Sequence, residues 1–202
     1  ASSTVAELGV EYVSLQAVKF SRLVQGQIAE TKGQGEDDDP LAHYIQVIAD
    51  KTGSLIAASA RFGGMVAGAT PEILDALAAF GEEVGLVFQL SDDLIDITST
   101  TTGKTPGTDL REGVPTLPVL MLRAEKNPAD AELLALIDGD LSSDEALTTA
   151  LEGLRAHPVL ARTKAEVERH AEIARAHLAP LPDGPAKDAL LRVCAELVDR
   201  TT

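Results

Sequence analysis

Hydrophobic residues recur along this chain with the three- and four-residue spacing of amphipathic helices, and the alternation of half-buried strands is absent. The pattern predicts a first helix over residues 5–31, broken by an acidic, Gly-containing run at 32–39. Asp39-Pro40 opens a second helix, with Pro in its first turn, that extends to about residue 68. Thr70-Pro71-Glu72 starts a third, reaching residue 97. Periodicity then stops. Ser, Thr, Gly and Pro fill residues 98–115, which read as a long functional loop. Helical spacing resumes over 116–125, and the tail predicts shorter helices near 129–137, 142–155, 158–178 and 185–200. The helix at 158–178 carries Lys164, Glu166, Glu168, Arg169, Glu172 and Arg175 and reads as a solvated outer face. No internal repeat or strong linker divides the chain, so residues 1–202 are expected to form a single all-α domain.

The third helix holds the most informative segment. Asp92, Asp93 and Asp96 stand inside the otherwise apolar run 85–97. On a helix, Asp92 and Asp96 share a face, Asp93 lies about 100° round the axis, and Gln89 sits one turn earlier. Leu86, Val87, Phe88, Leu90, Leu94 and Ile95 cover much of the remaining circumference, which predicts burial. Buried carboxylates need partners, and no Lys or Arg lies within a helical turn. A divalent cation answers that need. All-oxygen ligands without Cys or His favour Mg²⁺, which takes one or two carboxylates and completes its shell with water and phosphates. The competing reading is an acidic helix end facing solvent.

Composition narrows the field. Apolar residues make up 45% of the chain but aromatics only 3%, so the core is built from aliphatic helices. A net charge of −15 excludes the basic surface that nucleic acid requires, while leaving room for a phosphorylated small molecule held through a metal. The lone Cys194 excludes an intrachain disulfide framework and suits a reducing, cytoplasmic setting. The longest candidate membrane span, residues 53–69, is interrupted by Arg61 and rich in Gly and Ala, so it reads as an internal helix. The start of the chain lacks both signal-peptide features and an initiator Met, and is expected to be processed or truncated.

Two further polar sites stand out. Lys51-Thr52 is flanked by apolar residues on both sides. Lys51 either pairs with Asp50 and snorkels to solvent, or reaches a phosphate as a point charge with the Thr52 hydroxyl beside it. The run from Gly103 to Gly113 combines glycines, Lys104, Arg111 and free hydroxyls, suited to an anion, but it does not match a P-loop. His43, His157, His170 and His177 show no ligand pattern and read as surface residues.

Taken in order, these elements resemble the carboxyl-terminal part of the trans-type polyprenyl diphosphate synthases. The matching pieces are Gln25-Gly26-Gln27, then Lys51-Thr52-Gly53-Ser54-Leu55, then the segment from Gly85 through Asp92-Asp93-Leu94-Ile95-Asp96. Gly103-Lys104-Thr105-Pro106-Gly107-Thr108-Asp109-Leu110 and Thr116-Leu117-Pro118 follow. The resemblance is close over residues 23–120 and loose in the tail. It implies an isoprenoid-synthase-like helical bundle around a central cavity, in which Mg²⁺ bridges acidic motifs to an allylic diphosphate. By that resemblance Asp92, Asp93 and Asp96 are metal residues, with Asp92 the most direct ligand. Lys51, Lys104 and Gln89 bind diphosphate, and Lys51, Thr52 and Gln89 are the catalytic set near the breaking C–O bond. The implied reaction condenses the allylic diphosphate with isopentenyl diphosphate, releasing diphosphate, in a homodimer.

Two departures qualify the resemblance. Many relatives carry a second lysine where this chain has Val114. The first aspartate-rich motif and the basic residues for isopentenyl diphosphate lie earlier in the family, and nothing before Leu23 resembles them. Asp37-Asp38-Asp39 is no substitute. The expectation is therefore a portion of a synthase whose N-terminal helices are missing, inactive by itself. The alternatives are a catalytically silent subunit of a heteromeric synthase and, last, a class I terpene cyclase. Missing helices would expose apolar faces of the first three helices, with Gly81 and Gly85 a plausible close-packing surface between chains.

Overall fold

The computed structural model describes residues 2–98 and 106–200, and among them every regular element is helical. The expected first helix is two: α1 (Ser2–Leu8) and α2 (Val10–Lys32), separated at Gly9, whose φ of 122° breaks the helical path. α2 stops at Gly33, again at positive φ. In α3 (Pro40–Ile48), Asp39 caps the start by accepting from the Leu41 N–H at 3.0 Å, with Pro40 in the first turn. The predicted continuous helix to residue 68 is interrupted. A π-helical turn, Ala49–Gly53, lies between α3 and α4 (Ser54–Val66). Such turns insert an extra residue into the helical path and frequently mark functional sites.

The spine is α5 (Pro71–Thr98), which carries buried apolar residues round most of its axis. α4 packs on one side of it and α10 (Val159–His177) on another. The tight contact of α5 with α4 and the π turn depends on two glycines. A Cβ on Gly81 would lie 2.6 Å from the Ala57 Cα, and one on Gly85 would lie 2.5 Å from the Gly53 Cα. These two glycines therefore serve packing within the chain and are not available as a surface between chains.

The expected long loop at 98–115 contains a short helix, α6 (Thr108–Arg111), after residues that lie outside those described. α7 (Leu117–Ala124), α8 (Ala131–Ile137) and α9 (Asp144–Ala156) follow, with a 3₁₀ turn at Pro128–Asp130. α11 (Pro185–Asp199) closes against α5 and α10. One apolar cluster surrounds α5, α10 and α11; a second lies among α6 to α9 around Leu122, Leu151 and Leu154.

Two surface assignments need correction. α10 is charged outward but buries Val159, Thr163, Val167, Ala171 and Ala174 in a stripe, because the small and branched residues recur at helical spacing beneath the charges. His170 belongs to that stripe. It is buried and pairs through Nδ1 with Glu83 at 2.8 Å, while its Nε2 lies 2.9 Å from Arg169. His157 likewise sits half-buried against Asp130 at 3.2 Å. No helix among the described residues is long and apolar enough to cross a membrane.

Candidate active site

A cavity of about 320 Å³ opens between the C-terminal end of α2, one face of α3, the π turn and the middle of α5. Lys51, Thr52, Gln89 and Asp93 all line it, so four residues singled out from the sequence meet although they lie on two separate helices. Val47, Ile48 and Leu120 supply apolar wall, and Val114 and Pro115 close another side.

The π turn explains how Lys51 reaches this space. On the opposite side of that turn Gly53 backs onto Gly85 of α5, and a Cβ at Gly26 of α2 would lie 2.9 Å from the Lys51 nitrogen. Helices α2, α5 and the turn thus meet backbone to backbone, which only glycine permits. The neighbouring Asp50 points elsewhere. Arg22 donates from Nε to Asp50 at 2.6 Å and holds Glu82 through both terminal nitrogens at 2.8 Å. Glu82 is held below the usual carboxylate range chiefly by its hydrogen bonds to Arg22. Lys51 therefore does not pair with Asp50. Its Nζ lies 2.7 and 3.0 Å from the two oxygens of Glu30, a pair about two-fifths exposed on each side. An exposed pair of that kind is weak and readily exchanged for another anion.

The three aspartates have three different surroundings. Asp93 is 3% exposed; its Oδ2 accepts from the Tyr44 hydroxyl and, at 2.8 Å, from the Leu117 N–H at the start of α7. Burial pushes its carboxyl up to about 6, against the opposing pull of Tyr44 and Leu117. Burial, then the charge of Asp93, holds the Tyr44 hydroxyl well above its usual range. Asp92 points toward α11, where Arg200 reaches its Oδ1 at 3.0 Å. Asp96 accepts from the Thr108 and Asp109 amides at 3.2 and 3.3 Å, anchoring the first turn of α6.

Asp92, Asp93 and Asp96, the expected metal residues, each face a different neighbour in this structure. Among the described residues no three His, Cys, Asp or Glu side chains gather as a metal site. Asp93 is shielded and spent on Tyr44 and Leu117. The donor chemistry of the other two does fit a hard cation: Asp92 is one-third exposed and already faces a stand-in cation, Arg200, and Asp96 offers carboxylate oxygens on long amide bonds. Lys104 lies outside the described residues. Tyr44, Glu30 and Arg200 stand in no motif of the sequence. Tyr44 stands seven residues before Lys51, roughly on the same helical face, so that spacing was its one signal.

Residues 1–154 match the family model described as polyprenyl synthetase. The chain belongs to the polyprenyl synthetase family. It is 47% identical over 203 residues to the nonaprenyl diphosphate synthase of Mycobacterium tuberculosis, an alignment covering 100% of this chain and 59% of that protein. It is 32% identical to the octaprenyl diphosphate synthase of Escherichia coli, over 98% of this chain and 61% of the relative. The crystal structure of geranylgeranyl pyrophosphate synthase from Corynebacterium glutamicum, complexed with calcium and isoprenyl diphosphate, superposes with a TM-score of 0.89 at 46% identity. That superposition covers 97% of this chain and 62% of the other. The fold is thus the all-α isoprenoid synthase fold. This polyprenyl synthetase chain spans about three-fifths of the length of the relatives it matches.

Proposed function

We propose that this chain supplies the diphosphate-leaving side of a trans-prenyltransferase, which condenses an allylic diphosphate with isopentenyl diphosphate. The observation that carries the reading is the shared cavity: Lys51, Thr52 and Gln89 line one space beside the aspartate-rich turn of α5. Chain elongation breaks the allylic C–O bond, and diphosphate departs with the electron pair. The double bond of isopentenyl diphosphate then forms the new C–C bond, and loss of one proton restores an alkene. Lys51 exchanges Glu30 for a diphosphate oxygen and stabilises the departing charge. Lys104 is assigned the same role from the resemblance. Thr52 and Gln89 orient the leaving oxygen, and Val47, Ile48 and Leu120 keep water from the allylic cation.

Asp92 and Asp96 would hold the divalent cation, Mg²⁺ in this reading, which supplies charge neutralisation at the diphosphate. Asp93 sets the wall instead, fixing Tyr44 and the start of α7. The calcium and isoprenyl diphosphate in the Corynebacterium relative support a divalent ion and this ligand class. The reading extends to a homodimer and a cytoplasmic setting; the exposed apolar residues of α2 support the first and the free, buried thiol of Cys194 the second. Condensation itself is assigned to the whole protein, with no elongated product expected from these 202 residues alone.

Calorimetry of the 202-residue chain with an allylic diphosphate, with and without Mg²⁺, tests the reading. Saturable, Mg²⁺-dependent binding that Lys51→Gln weakens by about tenfold or more is expected. Binding indifferent to both Mg²⁺ and Lys51 would overturn it.

A further inference from the structure

The last turn of α11 docks on α5 through three residues spaced i, i+3 and i+4. The Arg200 guanidinium lies over Phe88, 5.4 Å from the ring centroid. The Ser91 hydroxyl donates to the Leu197 carbonyl at 3.2 Å in a buried position. Asp92 accepts from Arg200 at 3.0 Å. The first and third contacts need the charge of Arg200; the second does not. The Asp92 and Arg200 side chains are 34% and 43% exposed, so ions reach the pair from solvent.

A guanidinium and a divalent cation cannot both hold one carboxylate oxygen at full strength. We propose that Arg200 is an internal counter-cation, a positioning residue that occupies Asp92 in the resting protein and withdraws when the divalent ion binds. Docking of the α11 end and metal occupancy then oppose one another. Because such coupling is reciprocal, releasing the Arg200 contact tightens metal binding by the same factor that metal binding loosens the contact. The Ser91–Leu197 bond keeps the rest of α11 in place, so the movement is confined to its final turn. The inference rests on the reading of Asp92 as a metal contact.

Mn²⁺ binding to the 202-residue chain, followed by electron paramagnetic resonance without any diphosphate, tests both. Arg200→Gln should bind Mn²⁺ about three- to tenfold more tightly than the parent chain. Asp92→Asn should weaken binding, and adding Arg200→Gln to it should change nothing further. In the parent chain the Arg200 side-chain N–H resonance should move with Mg²⁺ along the same saturation curve. If Asp92→Asn weakens binding but Arg200→Gln leaves it equal or weaker, or the Arg200 resonance stays still, the counter-cation proposal is overturned while the metal reading stands. If Asp92→Asn binds like the parent, the metal reading falls, and this inference with it.

Discussion

The Tyr44 hydroxyl and the Asp93 carboxylate are joined across 49 positions of sequence, and the Leu117 amide shares the same oxygen. This contact ties α3, α5 and α7 into one wall of the cavity. It also places a carboxyl where its charge is poorly solvated, which gives a dependence on pH.

Burial raises the Asp93 carboxyl from 3.8 to about 6, so the fold favours its protonated form. That contribution is complete below about pH 3.8 and is lost as pH rises through about 6. Above pH 6 the ionised group costs the fold on the order of 3 kcal/mol. In metal-free buffer, Asp93→Asn should therefore melt several degrees higher than the parent at pH 8, with the gain shrinking toward pH 4. A change in melting temperature that is negative or independent of pH would show that the charge carries no penalty.

The glycines of α4 and α5 should behave oppositely. Gly85→Ala forces a methyl against the Gly53 backbone, which cannot give way, and should destabilise by about 1–3 kcal/mol. Gly63 lies inside α4 with nothing within 4 Å of its added Cβ, so Gly63→Ala should stabilise by about 0.5–1 kcal/mol. Urea denaturation of the two variants checks the contrast. Equal midpoints would mean that the close approach of α5 to the π turn is not a constraint.

Arg22 spans Asp50 of the π turn and Glu82 of α5. Arg22→Ala removes the cation shared by both acids, leaving Asp50 with the Gln46 amide at 2.9 Å, and should cost about 2 kcal/mol. It should also loosen the turn that aims Lys51. Hydrogen exchange at residues 49–53 should rise in this variant more than at residues 190–198; uniform protection would separate the network from the turn.

Helical periodicity made α5, α7, α9, α10 and α11 legible, because each buries an amphipathic stripe whose spacing survives in the sequence. The breaks were harder to read. Gly9 sits between two helix-compatible runs, and the π turn at 49–53 has ordinary helix formers on either side, so only tertiary packing against Gly26 and Gly85 fixes it. The cavity set Lys51, Thr52 and Gln89 was readable from motif order. The salt-bridge partners of Lys51 and Asp92 were not, because Glu30 and Arg200 reach them over 21 and 108 positions with no local pattern. His170 looked like surface because its neighbours in sequence are charged; its ring nonetheless turns inward to Glu83.

Val10, Val13, Phe20, Val24 and Ile28 are exposed along one stripe of α2. The expected exposure is thus most extensive on this helix, with Leu55 and Val66 also exposed on α4, while α5 is enclosed by its neighbours. Light scattering should find the 202-residue chain self-associated, and Phe20→Glu should lower its mass. A monomeric parent that ignores a hydrophobic dye would contradict the proposed docking face.

Asp92 and Lys51 are proposed to stabilise a departing diphosphate. The direct measurement is steady-state incorporation of labelled isopentenyl diphosphate by the whole protein, comparing the parent with Asp92→Ala at saturating Mg²⁺. The parent should form elongated product, and Asp92→Ala should lower kcat by at least about a hundredfold. An Asp92→Ala enzyme with near-parental kcat would contradict the account and return the aspartate-rich turn to a solvated helix face.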